Sequence, residues 1–388
     1  MIRTFELTLA KDYSKKWGLQ EALRELLQNA IDFANESEDN TMTINYDEET
    51  STLSIANKNS ILTKKTLLLG YTSKENNPNS IGKFGEGYKI SLLVLNRLQK
   101  NVTIYNYGRK EIWTTKFVKS KKYEGELVLK ISIDTEPIWK KVPNNNLTFE
   151  INDISKEDYE ELVKRALPLQ PQDNINYLKA SDMGRILLDN KYKGKIFVNG
   201  LWIKDIPSLK YGYDIAPNYL DIGRDRDLVS EYDISYTTSG MWALNQGEEF
   251  LELITNGALD VKNIHGALSY NYRLNAKVNK QDIYDNIYDN FKEKYGENSI
   301  PSTTQQEREI LSKSYPEAKI ITVTDIEKEL ITSSTKYKEE IDFMEMSNEI
   351  SITELYSQWR EENYFMLNDK ALKALDDIIN LAKERLNE

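Results

Sequence analysis

Three glycines within six residues constrain this chain more than any other feature of its sequence. Gly82, Gly85 and Gly87 form GKFGEG, directly before the apolar run YKISLLVLNRL, and the pattern predicts a helix over residues 86–98. Glycines at such a point let backbone N–H groups approach an anion, and the helix N-terminus adds a partial positive charge. The segment is not a P-loop, because no Gly-Lys-Ser/Thr follows, and it lacks the preceding parallel strand of a dinucleotide fingerprint.

A polar stripe runs along the first predicted helix, which covers residues 18–35. At about 100° per residue, Glu25, Gln28, Asn29 and Asp32 fall on one side, whereas leucine, isoleucine and alanine fill the opposite arc. An ordinary surface helix shows the same amphipathy. The stripe therefore becomes informative only in combination with the glycines downstream.

Composition excludes several classes of chemistry. The 388 residues allow two or three domains, and a net charge of -11 argues against a general nucleic-acid coat. The chain has no cysteine, which excludes thiolate metal sites and cysteine nucleophiles, and its one histidine, His265, is expected to be structural or on the surface. The N-terminus lacks the apolar core of a signal peptide, and no apolar run approaches about 20 residues. We therefore expect a soluble, cytoplasmic protein without a membrane partner.

Four segments, in order, resemble the motifs of the GHKL (Bergerat-fold) ATPase superfamily, which includes gyrase B, Hsp90, MutL and histidine-kinase catalytic domains. ELLQNAID (25–32) resembles the motif Glu-x-x-x-Asn-Ala-x-Asp, and SIANKNSI (54–61) stands where that family has Asp-x-Gly-x-Gly. Residues 67–91 resemble the ATP lid and glycine motif, and NNLTFEI (145–151) resembles the late strand with a threonine beside the adenine site. The chain resembles most the small stand-alone members found in bacteria and their phages.

The resemblance implies ATP and Mg²⁺ as ligands and gives each motif residue a role. Glu25 would be the general base that orients water, Asn29 would supply an oxygen to Mg²⁺, and Asp32 would support the pocket floor. Gly82, Gly85 and Gly87 would cradle the phosphates. Lys74 or Lys83 would neutralise phosphate charge, unless these lysines are simply solvated.

The adenine end departs from the family pattern. Asn57 takes the place of the aspartate that accepts the adenine amino proton, and Asn59 replaces the first glycine. An asparagine oxygen can accept that bond, although a flipped amide would donate instead, and Asn57 also suits a plain turn at a strand end. Asn59 tolerates the left-handed backbone. Thr148 would hydrogen-bond near the same base edge.

The expected fold class is α+β. It comprises an N-terminal Bergerat α/β sandwich, with a mixed sheet and helices on one face, then a transducer-like α/β domain and a helical tail. The predicted domains are 1–166 for ATP binding, 175–265 as the transducer-like domain, 266–331 as a small α/β segment, and 351–388 as the tail. In the second of these, Arg224 and Arg226 would reach the γ-phosphate, or else pair with neighbouring aspartates.

Two functions of different classes remain open from the sequence. The first is a slow Mg²⁺-dependent ATPase that acts as a conformational switch and forms a homodimer when ATP binds. The second is a nucleotide-dependent module that binds another protein with little hydrolysis, for example in phage–host conflict or DNA maintenance. Nucleic-acid binding through the lysine runs at 119–122 and 191–195 is not favoured, because such runs are usually solvated.

Overall fold

The computed structural model describes residues 1–68, 86–137, 146–220, 230–348, 352–363 and 367–386. The chain forms two compact units. The first comprises Met1–Asn245 and Ala258–Ile264, and the second comprises Gln246–Gly257 and His265–Glu388. No helix among the described residues is long and apolar enough to cross a membrane.

A seven-stranded sheet forms the frame of the first unit. Its strands are β1 (Ile2–Ala10), β2 (Met42–Asp47), β3 (Thr52–Asn57), β4 (Val102–Asn106), β5 (Glu111–Lys119), β6 (Leu127–Asp134) and β7 (Leu147–Ile151). The spatial order is β1-β6-β5-β4-β7-β3-β2, and every neighbouring pair is antiparallel. The prediction of a mixed sheet was therefore wrong for this seven-stranded sheet. β3 and β4 run in the same direction, but β7 lies between them and pairs antiparallel with both.

Three helices accompany this sheet: α1 (Leu19–Ala34), α2 (Gly87–Arg97) and α3 (Lys156–Arg165). The apolar arc of α1 and the run Leu92–Leu95 of α2 are buried in one core with the strand residues Ile55, Ile104 and Trp113. α1 begins after Gly18, whose N–H donates to the carboxylate of Glu21, as in a capping box. Packing of the two amphipathic helices on one face of the sheet fixes the orientation of the polar stripe of α1.

Buried polar side chains line one end of the sheet. The polar residues are Asn57 of β3, Asn106 of β4 and Glu111 of β5, and Leu147 of β7 lies between Asn57 and Asn106. The four residues are in register across the four strands, so their side chains share one face of the sheet. Asn106 is fully buried, and its side-chain amide bonds to both backbone groups of Leu62. Its Oδ1 accepts from the N–H of Leu62 at 3.2 Å, and its Nδ2 donates to the Leu62 carbonyl at 2.9 Å. The chain that leaves β3 is thereby held against the sheet end.

A second sheet completes the first unit. Its strands are β8 (Tyr177–Lys179), β9 (Gly184–Leu187), β10 (Lys195–Val198), β11 (Leu201–Asp205) and β12 (Gly212–Ile215), in the order β11-β10-β12-β9-β8. β10 and β12 are parallel and the other pairs antiparallel. Helix α4 (Glu231–Ala243) packs beside β9. The buried carboxylate of Asp260 accepts hydrogen bonds from Tyr213 and from the backbone N–H groups of Lys210 and Tyr211.

The second unit is mostly helical. Its elements are α5 (Glu248–Thr255), α6 (Ile264–Tyr270), which starts at the boundary, α7 (Tyr272–Asn275), α8 (Lys280–Tyr295), β13 (Ser299–Ser302), α9 (Gln305–Ser314), β14 (Lys319–Thr322), α10 (Asp325–Ser333), α11 (Thr335–Asn348), α12 (Ile352–Asn363) and α13 (Asp369–Leu386). β13 and β14 form a parallel pair joined through α9. Lys292 is buried on α8, where its Nζ donates to Glu340 of α11 and to the carbonyl of Ser299.

The α+β fold class and the helical C-terminal region are confirmed. The chain breaks between α4 and α5, which lie in different units. Asn245 explains the break, because its Nδ2 donates back to the carbonyl of Met241 and caps α4, while Gly247 begins the next helix. The only histidine, His265, lies 3.2 Å from Glu329 and stacks on Tyr284.

The two hydrogen bonds between Asn106 and Leu62 lead to a prediction about stability. Asn106→Ala removes a partner from both polar groups of Leu62, which stay buried, so the free energy of unfolding should fall by about 2–4 kcal/mol. Urea denaturation measures the change, with the exposed strand residue Asn45→Ala as the control. Equal free energies of unfolding for the two variants would show that the hydrogen bonds between Asn106 and Leu62 do not contribute to stability.

Candidate functional site

The first residue of α2 touches the polar stripe of α1. A Cβ on Gly87 would lie 2.4 Å from Oε2 of Glu25 and 3.8 Å from Nδ2 of Asn29. No side chain fits at Gly87 while the carboxylate of Glu25 keeps its place. Glycine is therefore required here by close approach rather than by an unusual backbone conformation.

Glu25 is 7% exposed, so its carboxylate is largely removed from water. Two features stabilise the charge there. Nη2 of Arg24 lies 3.7 Å from Oε1, and the carboxylate sits at the N-terminus of α2, where the helix dipole is positive. A carboxylate held in this way at a helix N-terminus can orient a water molecule or accept a proton beside a bound anion.

Asn29 lies one turn after Glu25 and is half-buried. Its Nδ2 donates to the backbone carbonyl of Glu25 at 2.8 Å, and a flipped amide would place two oxygens against each other. Within the described part of the chain, no donor reaches Oδ1. That amide oxygen suits Mg²⁺, which takes few protein ligands and keeps water and phosphate oxygens for the rest. No group of three or more His, Cys, Asp or Glu side chains with metal-site geometry occurs among the described residues.

Asn57 ends β3 beneath α1. Its Nδ2 donates to the carbonyl of Ala30 at 3.0 Å in a buried position, which fixes the amide orientation for the same electrostatic reason. Oδ1 is then the acceptor that remains for a ligand. Asn59 adopts a left-handed backbone with φ of 65°, as the sequence led us to expect.

The structure does not bring Thr148 together with Asn57. Leu147 pairs directly with Asn57 across β7 and β3, so Thr148 points to the opposite face of the sheet. Its hydroxyl is buried there beside Ala56 and Tyr105, with no hydrogen-bond partner in the described residues. The side chain that shares a face with Asn57 is therefore the apolar Leu147.

Asp32, the last member of the stripe, is 3% exposed and faces the second sheet. Its Oδ1 accepts from Nδ2 of Asn199, in the turn between β10 and β11, at 3.5 Å. Six of the predicted site residues lie outside the described residues, namely Lys74, Gly82, Lys83, Gly85, Arg224 and Arg226.

Sequence reasoning missed a buried lysine in the first turn of α2. Nζ of Lys89 donates to the carbonyls of Thr66 at 2.9 Å and Leu68 at 2.5 Å, and the side chain is fully buried. Burial lowers the pKa of Lys89, opposed by the charge of Glu86. The neighbouring hydroxyl of Tyr88 also donates to the Thr66 carbonyl, at 2.6 Å. A lysine within an otherwise apolar helical run was the available signal.

The sequence matches no protein-family model and no curated protein. Among the solved structures that resemble the chain, three share 14–16% identity with it, each over 52% of this chain. One comprises the ATPase and transducer domains of DNA topoisomerase II from Balamuthia mandrillaris, with 67% of that chain covered and a TM-score of 0.28. The other two are structures of the ATPase region of Saccharomyces cerevisiae topoisomerase II, one of them bound to dexrazoxane, each with 69% of that chain covered and with TM-scores of 0.30 and 0.25, respectively. With TM-scores this low, these likenesses carry no argument about the site.

The contact between α1 and α2 makes a prediction for catalysis. Gly87→Ala forces the Glu25 carboxylate away from its position, so any nucleotide turnover should fall on the order of 10²-fold. The flexible end of Glu25 can move, so we expect the fold to persist, as far-UV circular dichroism would show. Steady-state turnover is the measurement, and Gly247→Ala in the second unit is the control, because a Cβ there would meet only the flexible carboxylate end of Glu249, at 3.2 Å. Unchanged turnover would mean that the position of Glu25 does not matter.

Lys89 makes a prediction about pH. Its pKa is lowered in the folded state, so the unfolded chain binds more protons between that value and about 10.4. The free energy of unfolding of the wild type, relative to Lys89→Met, should therefore rise as the pH rises from 8 to 10. Urea titrations of both proteins across this range measure it. A constant difference would show that the burial of Lys89 has no cost.

Proposed function

We propose that this chain is a GHKL-type ATP-binding protein that hydrolyses ATP slowly with Mg²⁺. The observation that supports the proposal most is the contact of Gly87 with Glu25 and Asn29, because it joins two motifs that are far apart in the sequence. An acid, an amide oxygen and a helix N-terminus thereby meet at one place. That combination suits a triphosphate with its metal ion.

In this proposal, the residues of α1 and α2 position the reacting groups. Glu25 orients water for attack on the γ-phosphate, and Asn29 Oδ1 supplies one ligand to Mg²⁺, which neutralises phosphate charge when bound. The N-terminus of α2 faces the phosphates. Phosphoryl transfer depends mainly on such positioning, so the site needs no nucleophile of its own. The roles of Gly82, Gly85, Lys74, Lys83, Arg224 and Arg226 stay predictions.

Adenine recognition rests on Asn57 in this proposal. Ala30 holds the amide so that Oδ1 is available to accept the adenine amino proton, and Leu147 offers an apolar surface on the same face of the sheet. Guanine carries a carbonyl where adenine has its amino group, so it would set two acceptors against each other. The site should therefore favour ATP over GTP.

A second candidate function is a nucleotide-dependent interaction module in which hydrolysis is incidental. Ile378 and Leu381 of α13 are exposed by 64% and 55% and are spaced for one helix face. Such a face suits contact with another protein. Homodimer formation on ATP binding, the biological target, and a phage or bacterial setting stay predictions.

The deciding experiment compares the wild type with Glu25→Ala and the isosteric Glu25→Gln. We expect both variants to lose turnover by roughly 10²-fold or more, because a general base is removed. Both should still bind ATP with Mg²⁺, as thermal shift and calorimetry would measure. Turnover at background level in all three proteins, with ATP bound, would favour the interaction module.

A second experiment tests nucleotide selectivity. ATP, ADP, GTP and a non-hydrolysable analogue are compared in the thermal-shift assay with and without Mg²⁺. A GTP shift equal to that of ATP would contradict the role of Asn57, and no shift with any nucleotide would contradict the proposed function as a whole.

A further inference from the structure

The turn between β10 and β11 reaches the nucleotide-binding helix. Nδ2 of Asn199 donates to Oδ1 of Asp32 at 3.5 Å, while Oδ1 of Asn199 accepts from Nδ2 of Asn35 at 3.3 Å. One side chain thus bridges the last turn of α1 and its C-cap. The reverse amide orientation would set an oxygen against the Asp32 carboxylate, so both bonds depend on the same orientation.

The backbone that carries Asn199 is rigid. Asn199 and Gly200 have φ of 51° and 79° between the paired residues Val198 and Leu201, as in a type I′ hairpin turn. The Gly200 carbonyl accepts from the N–H of Leu167 at 2.8 Å, and a Cβ on Gly200 would lie 2.8 Å from Pro168. The backbone of the turn is therefore held in place, and it directs the Asn199 side chain towards α1.

The same turn is anchored in the interior of the second sheet. The N–H of Gly200 donates to Oδ1 of Asp214 on β12 at 2.6 Å. Arg185 on β9 donates to Oδ2 of Asp214 through Nε at 3.1 Å and Nη2 at 2.7 Å. Hydrogen bonds thus run without interruption from β9 and β12, through the turn, to α1.

Helix α1 links this contact to the proposed site. Glu25 and Asn29 lie on the same helix, and the carbonyl of Ala30, two residues before Asp32, accepts from Asn57. A helix transmits a constraint at one turn to its neighbours because its backbone bonds are continuous. We propose that Asn199 is a positioning residue that couples the second sheet to the nucleotide site through α1. The coupling rests on the function proposed above.

The coupling has a definite signature. Asn199 contacts the C-terminal half of α1, which contains Asn29 and the Ala30 carbonyl that holds Asn57. In the proposed site, both ATP and ADP contact these two asparagines. Loss of Asn199 should therefore weaken both nucleotides equally, and hydrolysis of bound ATP should change less than binding does. A contribution that served only overall stability would leave nucleotide affinity unchanged.

The test compares Asn199→Gly, which keeps the left-handed turn, with Ser181→Gly. Ser181 also has a left-handed backbone, with φ of 52°, and lies exposed in the same sheet between β8 and β9. Calorimetric titration should give ATP and ADP dissociation constants roughly three- to tenfold higher for Asn199→Gly, as expected for the loss of a hydrogen bond. The control should stay within about twofold of the wild type. An unchanged affinity of Asn199→Gly would overturn the coupling.

A double-mutant cycle without nucleotide keeps the two proposals apart. Unfolding of Asn199→Gly, Asn35→Ala and the double variant should show a combined loss smaller than the sum, because the residues are in contact. Additive losses would overturn the contact on which the coupling depends. If the wild type binds no nucleotide, the proposed function fails and the coupling fails with it, whereas an altered affinity confirms both.

Discussion

The close approach of α1 and α2 at Gly87 is the constraint on which the candidate site of the first unit depends. A carboxylate occupies the space that a side chain on α2 would need, so Glu25 keeps its position at this contact only because residue 87 is glycine. Burial of a charge is costly unless partners compensate. Arg24 and the N-terminus of α2 do so here, and the N-terminus of α2 stays beside Glu25 only while the two helices stay packed on the sheet. The core and the charged site therefore stabilise each other.

Around this contact, asparagine amides make the hydrogen bonds to buried backbone groups, at positions where a charged side chain would have a high desolvation cost. An amide carries both a donor and an acceptor and has a smaller desolvation penalty than a carboxylate. Asn106 uses both for the two backbone groups of Leu62, and Asn57 donates to Ala30. An aspartate at position 57 would face the Ala30 carbonyl without a proton to offer. An asparagine rather than an aspartate at position 57 thus suits its local partner, the Ala30 carbonyl.

Periodicity predicted α1 and α2, because a helix is encoded over a short window of sequence. Pairing between distant strands is not, so the antiparallel insertion of β7 between β3 and β4 was missed. Thr148 is instructive, since the alternation in LTFEI already favours Leu147, Phe149 and Ile151 on the core face. The contacts of Asn199 and Lys89 could not be predicted, because their partners lie far away in sequence or are backbone carbonyls.

The first three residues of α2 fix its N-terminus from two sides. Gly87 leaves room for the carboxylate from α1, while Tyr88 and Lys89 donate hydrogen bonds to the carbonyls of Thr66 and Leu68. A lysine here opposes the helix dipole and is buried, so only close carbonyl partners make its position tolerable. A helix N-terminus stabilises an anion best when its N–H groups cannot reorient, since reorganisation would reduce the gain. The otherwise unfavourable Lys89 is therefore consistent with a helix start that must stay in place.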